Sequence, residues 1–200
     1  MLNKCLNCNL PCFDVNRDFI YPQINLDLKK IELIMISEAP PAAHSDYYYK
    51  NKNGSFFNST QTAFSDAGIS VSSYDDITNL KIYLTTAIKC SKKHYLVSTG
   101  TIKSCSKILE QEIDQFPNLK VIMCMGDFAI KAINYISRRK YNKNAIPSGS
   151  TYKIRKGIYI LDGIRYFPSY TQTGAGFDME KSKRRMIAGD IKTAMSIIQK

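Results

Sequence analysis

Apolar and polar positions along this chain follow two alternating periods. Short, nearly continuous apolar runs fall in IELIMISEAPP (31–41), KIYLTTAIKC (81–90), NLKVIMCMGD (118–127) and GIYILDGIRYFPS (157–169). Their length and β-branched content predict buried strands, the last stretch supplying one or two. Between them the period changes. SFFNSTQTAFSDAG suits a helix ending at Gly68, and residues 99–115 carry Ile102, Cys105, Ile108, Leu109 and Ile113 on one helical face. A helix follows Gly126 over 128–137, and a last one over 181–198 turns Ile187, Ile191, Met195 and Ile198 inward. Strands alternating with helices predict an α/β sandwich around a mainly parallel sheet, taken as four-stranded, in one domain over 1–200. Functional loops in such sheets gather at the carboxyl ends of the strands. The polar, aromatic loop AAHSDYYYKNKNG (42–54) stands in that position. Its Tyr47, Tyr48 and Tyr49 suit either stacking on bases or a lid packed on its own domain.

Two hundred residues bury a core without disulfide staples. No apolar run approaches the roughly 20 residues that span a bilayer. The N-terminus lacks a signal pattern, so a cytoplasmic protein with no membrane partner is expected. The net charge of +11 favours a polyanionic partner over a merely solvated basic surface. Eight basic residues and no acid lie between Asp127 and Asp162, and the last helix opens with Lys181, Lys183, Arg184 and Arg185.

Six cysteines are too few for a disulfide scaffold, and a close pair in a reducing compartment points to metal or redox chemistry. Cys5-x2-Cys8 needs two further ligands. Cys90 ends the second strand, and Cys105 faces inward on the next helix. Four thiolates suit zinc or an iron–sulfur cluster, and the wide second pair favours the cluster. Cys124 reads as a small core hydrophobe. Cys12 is spare, with replacement of Cys8 as its alternative role.

Cys-x2-Cys followed by Cys-x14-Cys resembles the pattern of the iron–sulfur uracil-DNA glycosylases of family four. SEAPP (37–41) is similar to their G-E-x-P-G, GSFFNS (54–59) to G-x-P-F-V-G, and LTTAIKC (84–90) to I-T-N-V-V-K-C. PNLKVIMCMGDFA (117–129) resembles their third strand, FPSY (167–170) stands where they carry H-P-S, and KRRMIAGDIKTA (183–194) is similar to their closing helix. The resemblance implies a three-layer α/β/α sandwich and a [4Fe–4S] cluster on Cys5, Cys8, Cys90 and Cys105. It further implies a hydrolase that excises a base from DNA. Glu38 would be catalytic, Phe57, Thr86, Phe167 and Ser169 base-binding, and Lys92, Lys93, His94, Lys183 and Arg184 DNA-binding.

Two departures bear on specificity. Thr86 replaces the asparagine that reads the pyrimidine edge, giving one rotatable hydroxyl for a planar amide. Phe167 replaces the histidine that donates to the departing base, a loss worth roughly 10²–10³ in rate. Pro41 for glycine also removes a backbone N–H. The leading expectation is a monomeric glycosylase for a uracil-like or modified base. The alternative is a catalytically inactive iron–sulfur module that binds nucleic acid, single- or double-stranded.

Overall fold

The computed structural model describes residues 8, 12–174, 177 and 180–199. Its sheet has five strands: β1 (Leu33–Ser37), β2 (Ile82–Thr86), β3 (Val121–Met125), β4 (Tyr159–Leu161) and β5 (Ile164–Ser169), in the order β2-β1-β3-β5-β4. The pairs β1–β2, β1–β3 and β3–β5 are parallel, and only β4 runs antiparallel, at the edge. The sheet thus exceeds the four expected strands by one. The extra strand comes from 157–169, which folds as a hairpin. Asp162 (φ 53°) and Gly163 (φ 75°) both take left-handed backbone, the two-residue turn that an Asp-Gly pair favours.

Helices α1 (Ser55–Asp66), α2 (Tyr74–Asn79), α3 (Thr99–Ile113), α4 (Asp127–Tyr141), α5 (Thr151–Ile154) and α6 (Lys181–Ile198) surround the sheet. Successive strand side chains point to opposite faces, and the core divides accordingly. Ile34, Ile36, Tyr83, Ile122 and Cys124 pack with α3 and α4 residues such as Ile102, Leu109, Phe128 and Ile133. Leu33, Met35, Leu84, Met123 and Phe167 pack with Phe56, Phe64, Ile77, Ile187 and Ile191 from α1, α2 and α6. The layers are therefore helix, sheet, helix. Ser73 opens α2 with a reciprocal capping box to Asp76, and Ser98 caps α3.

Among the described residues no helix is long and apolar enough to cross a membrane. One fully buried ion pair stiffens the α3 side. Lys89 Nζ donates to Glu112 Oε2 (2.5 Å), Thr85 Oγ1 (2.8 Å) and the Thr86 carbonyl (2.7 Å), while Glu112 Oε1 accepts from Tyr83 OH (2.7 Å) and Thr85 Oγ1 (2.8 Å).

Candidate active site and cysteine cavity

The parallel pairing continues one step beyond β1 and β2. The Ala87 amide donates to the Ser37 carbonyl at 2.8 Å, and the Ile88 amide to the Glu38 carbonyl at 3.0 Å. This fixes the backbone of Glu38 at the carboxyl end of the sheet. Its side chain lies over Gly126, the residue between β3 and α4. A β-carbon built there would be 2.8 Å from Glu38 Oε1 and 2.9 Å from its Cγ. Gly126 also has φ 107°, a backbone that side-chain-bearing residues rarely adopt. Lys92 Nζ sits 3.7 Å from Glu38 Oε2 and faces the rings of Phe128 (5.2 Å) and Tyr95 (5.6 Å). The half-buried carboxylate therefore has a cation beside it and a water-accessible side.

The tyrosine-rich loop packs inward around this end of the sheet. Thr86, at the end of β2, is buried with Oγ1 3.1 Å from Tyr47 OH. Tyr48 OH pairs with Ser37 Oγ (2.6 Å) and accepts from Gln172 Nε2 (3.0 Å), while Ser37 Oγ donates to Gln172 Oε1 (3.3 Å). Tyr49 OH accepts from the Leu84 amide at 2.8 Å. Burial raises the Tyr47 and Tyr48 phenols well above their ordinary range, so both stay neutral hydroxyls. Of the two roles open to these tyrosines, the structure adopts the packed lid. A single helical turn, His44–Asp46, starts the loop. His44 Nε2 meets Asp18 Oδ2 at 2.8 Å.

The remaining predicted base-binding residues have other contacts. Phe57 is buried with its ring edge-on to Tyr74 at 4.7 Å, whereas Phe56 faces Tyr48 at 5.1 Å and Tyr47 at 6.2 Å. Phe167 is buried within β5, in register with Met123, under the Arg165 guanidinium at 4.5 Å. Ser169 Oγ donates to Asp190 Oδ2 (2.7 Å), and Arg155 clamps the same carboxylate through its Nη2 (2.6 Å). Burial raises the Asp190 carboxyl above its ordinary value, opposed by these two partners. Gln172, whose amide offers both a donor and an acceptor beside Tyr48, had no signal in the sequence.

The predicted DNA-binding residues fall into two groups. Lys92, Lys93 and His94 share one loop near Glu38, with Lys93 and His94 exposed. Lys183 and Arg184 lie on α6. Lys183 pairs with Glu180 (2.7 Å) and faces the Tyr170 ring, and Arg184 grips Asp66 with two hydrogen bonds (2.9 and 3.0 Å). A 650 Å³ groove beside them is lined by Lys181, Arg185 and Lys192.

Cys8, Cys12, Cys90 and Cys105 line one cavity of about 200 Å³, together with Val15, Arg17, Phe19 and Lys89. Cys12, spare by its sequence spacing, is thus brought to Cys90 and Cys105. Cys5 lies outside the described residues. Among the described residues no three Cys, His, Asp or Glu side chains are arranged to hold a metal ion. The donor chemistry nevertheless suits one: four free thiols face a shared space. Burial and mutual repulsion push the Cys90 thiol up to about 12, and burial pushes Cys105 up to about 11. A thiophilic metal would have to displace those protons. Cys124 is fully buried in β3, with its thiol pushed far up by burial, and remains a core side chain.

Two aspartates hold the segment after Cys12. Asp14 accepts from the Ser98 amide and from Thr101 Oγ1, both at 2.6 Å. Asp18 accepts from the Ser91 amide (2.8 Å) and hydroxyl (2.5 Å). Burial alone would raise both carboxyls, but these hydrogen bonds outweigh it and hold them below their usual value.

The family model described as the uracil DNA glycosylase superfamily matches residues 25–189. The chain belongs to that superfamily. It is similar to the type-5 uracil-DNA glycosylase of Thermus thermophilus, 26% identical over 102 residues that span 50% of this chain and 46% of that protein. The chain thus matches about half the length of this curated relative. Among solved structures, it resembles the solution NMR structure of a candidate uracil DNA glycosylase from Methanosarcina acetivorans. The TM-score is 0.49, with 14% identity over 84% of this chain and 93% of that one. The superfamily match covers all five strands but leaves the cysteine segment before residue 25 outside it.

Proposed function

We propose that this member of the superfamily is a DNA N-glycosylase that hydrolyses the bond between deoxyribose and a flipped-out, uracil-like or modified base. The observation that carries the reading is Glu38, held over Gly126 at the carboxyl ends of β1 and β3 with one face open to water. Hydrolysis breaks C1′–N, the base leaves with the electron pair, water forms C1′–O, and the proton that water sheds ends on the departed base. Glu38 stabilises the cationic sugar and orients that water. Lys92 holds the carboxylate in place and adds a cation toward the phosphates. Lys93 and His94, and the groove cations of α6, are the further candidates for phosphate contact.

The subtype is proposed as iron–sulfur and family-four-like, with a divergent pocket. A [4Fe–4S] cluster would be held by Cys8, Cys90 and Cys105, with Cys12 as the fourth ligand the cavity supports and Cys5 as the one the motif spacing supports. When bound, it would cross-link the N-terminal segment, the loop after β2, where Cys90 lies four residues past the end of the strand and not on it as its sequence suggested, and α3. Lys89 lines that cavity while its ammonium is spent on Glu112.

A second reading, the inactive nucleic-acid-binding module, is favoured by Tyr47 and Tyr48. Their hydroxyls occupy Thr86 and Ser37, and Phe167 offers no donor to a leaving base. A base-release screen on single- and double-stranded oligonucleotides separates the two. It includes uracil, hypoxanthine and bulky modified pyrimidines, with Glu38→Gln as control. Release of one base by the wild type, lost in Glu38→Gln while DNA binding persists, supports the enzyme. Binding with no release of any base supports the module.

A further inference from the structure

The product of base release is itself reactive. Once the base has left and water has added, C1′ is a hemiacetal carbon, and ring opening turns it into an aldehyde. An aldehyde held beside a primary amine forms an imine. One lysine of this chain stands where that encounter would take place. Lys92 Nζ lies 3.7 Å from Glu38 Oε2, and the two side chains are 27% and 23% exposed, reachable by a bound sugar yet mostly withdrawn from water.

The Lys92 amine is not consumed by a structural role. Lys81, Lys89, Lys120 and Lys183 close on their carboxylates at 2.5–2.7 Å. Lys92 stops outside hydrogen-bond range of Glu38, and its one side-chain hydrogen bond among the described residues, to the Tyr95 carbonyl, is stretched to 3.5 Å. Its backbone, by contrast, is firmly held. Lys92 pairs with Val15, the Ser91 amide donates to Asp18 Oδ1 at 2.8 Å, and the Lys93 amide donates to the Asp14 carbonyl at 3.1 Å. The side chain is therefore aimed, as attack on a bound carbon requires. The neighbouring Lys93 Nζ is instead bound to the Phe13 carbonyl at 3.1 Å. The rings of Phe128 (5.2 Å) and Tyr95 (5.6 Å) face Lys92 Nζ. Such rings favour a cation, and an iminium carries the same single charge as the ammonium it replaces.

We propose that Lys92 is a nucleophile toward abasic DNA, giving this protein a strand-cleaving lyase activity. The ammonium gives one proton, through water, to the Glu38 carboxylate, and the neutral amine attacks the C1′ aldehyde. Glu38 returns that proton to the departing hydroxyl, water leaves, and a C1′=Nζ iminium joins protein to DNA. The freed carboxylate then removes a proton from C2′, and the iminium takes up the electron pair of that bond. The pair returns to form C2′=C3′, the 3′ phosphate leaves with the C3′–O electrons, and the strand is cut. Water hydrolyses the iminium, restoring the Lys92 ammonium and leaving an unsaturated aldehyde on the upstream fragment, while Glu38 passes its proton to solvent. The inference rests on the base-excision reading of Glu38 for the source of its substrate, but a preformed abasic site tests it without any base release.

The test gives full-length protein a labelled duplex with one preformed abasic site, in sodium cyanoborohydride, which reduces an imine to a stable amine. Wild type should become covalently joined to the DNA, and peptide mass spectrometry should place the adduct on Lys92. Lys92→Arg keeps a cation without the nucleophilic amine, and should give no adduct at concentrations where a gel shift shows the duplex bound. Without reductant, wild type should cut the strand on the 3′ side of the abasic site, and Glu38→Gln should cut it roughly 10²-fold more slowly. Circular dichroism checks the fold of both variants. No adduct from wild type on bound duplex, an adduct mapped to another amine, or an undiminished adduct in Lys92→Arg would each overturn the proposal. Undiminished cutting by Glu38→Gln would overturn the part given to Glu38. An adduct on Lys92 with no base released from any oligonucleotide would leave the lyase standing and remove the glycosylase, whereas base release with no adduct would remove the lyase alone.

Discussion

Glu38 rests on Gly126: no atom larger than hydrogen fits between the glycine α-carbon and the carboxylate, which a β-carbon would approach to 2.8 Å. Two demands meet at this glycine, a backbone at φ 107° and a close approach by the functional side chain. Gly126→Ala should cost about 1–3 kcal/mol of stability from backbone strain. It should also move the carboxylate and lower base release by roughly 10²-fold. Thermal melts and single-turnover assays measure the two effects separately. Unchanged release would show that the Glu38 position is not set by Gly126.

Removing the charge without moving the side chain isolates the electrostatic role. Glu38→Gln is expected to slow base release by roughly 10²–10³ and to leave duplex affinity within a few-fold. A comparable fall in affinity would assign Glu38 to binding.

The cysteine cavity makes a ligand-level prediction. Cys12→Ala should lose bound iron and its thiolate absorption as fully as Cys90→Ala or Cys105→Ala, and Cys124→Ala should lose none. Iron and sulfide analysis of protein purified without oxygen reads this directly. Full cluster content in Cys12→Ala together with loss in Cys5→Ala would return the ligand set to the tighter sequence spacing.

Acid should release the N-terminal segment before it unfolds the sheet. The Asp14 and Asp18 carboxyls titrate lower in the folded chain than in the unfolded one, through bonds to Thr101, Ser98 and Ser91. Their contribution is complete above the usual carboxylate range and is lost as pH falls through about 4 and below. Hydrogen exchange across residues 12–20 and 91–101 should rise in that window while the five strands stay protected. Asp14→Asn should open the 93–98 loop at neutral pH. Loss of protection in all segments together would contradict a separately held strap.

The buried Lys89–Glu112 pair should be costly to break and tolerant of joint replacement. Lys89→Met leaves Glu112 charged without its counterion, a loss of roughly 3–5 kcal/mol, while Lys89→Met/Glu112→Leu recovers much of it. Urea denaturation of the three proteins tests this. Equal destabilisation by the single and double changes would mean that Tyr83 and Thr85 need the carboxylate more than it needs the lysine.

Much of this molecule is legible along the chain because its signals are local. Apolar runs mark the parallel strands, helical spacing turns Cys105 inward, and motifs in order carry the superfamily. Even the hairpin at Asp162–Gly163 has its turn written in two residues, although the apolar run around it fits one strand or two. Tertiary structure decided which neighbours meet. It set Phe56 against Tyr47 and Tyr48 and Phe57 against Tyr74, closed Tyr48, Ser37 and Gln172 into one network, committed Ser169 to Asp190, and brought Cys12 to Cys90 and Cys105. Those pairings join residues up to 135 positions apart. Periodicity specifies which face of an element is buried, but not what packs on it; that choice is made only when the layers close and every buried polar atom must find a partner.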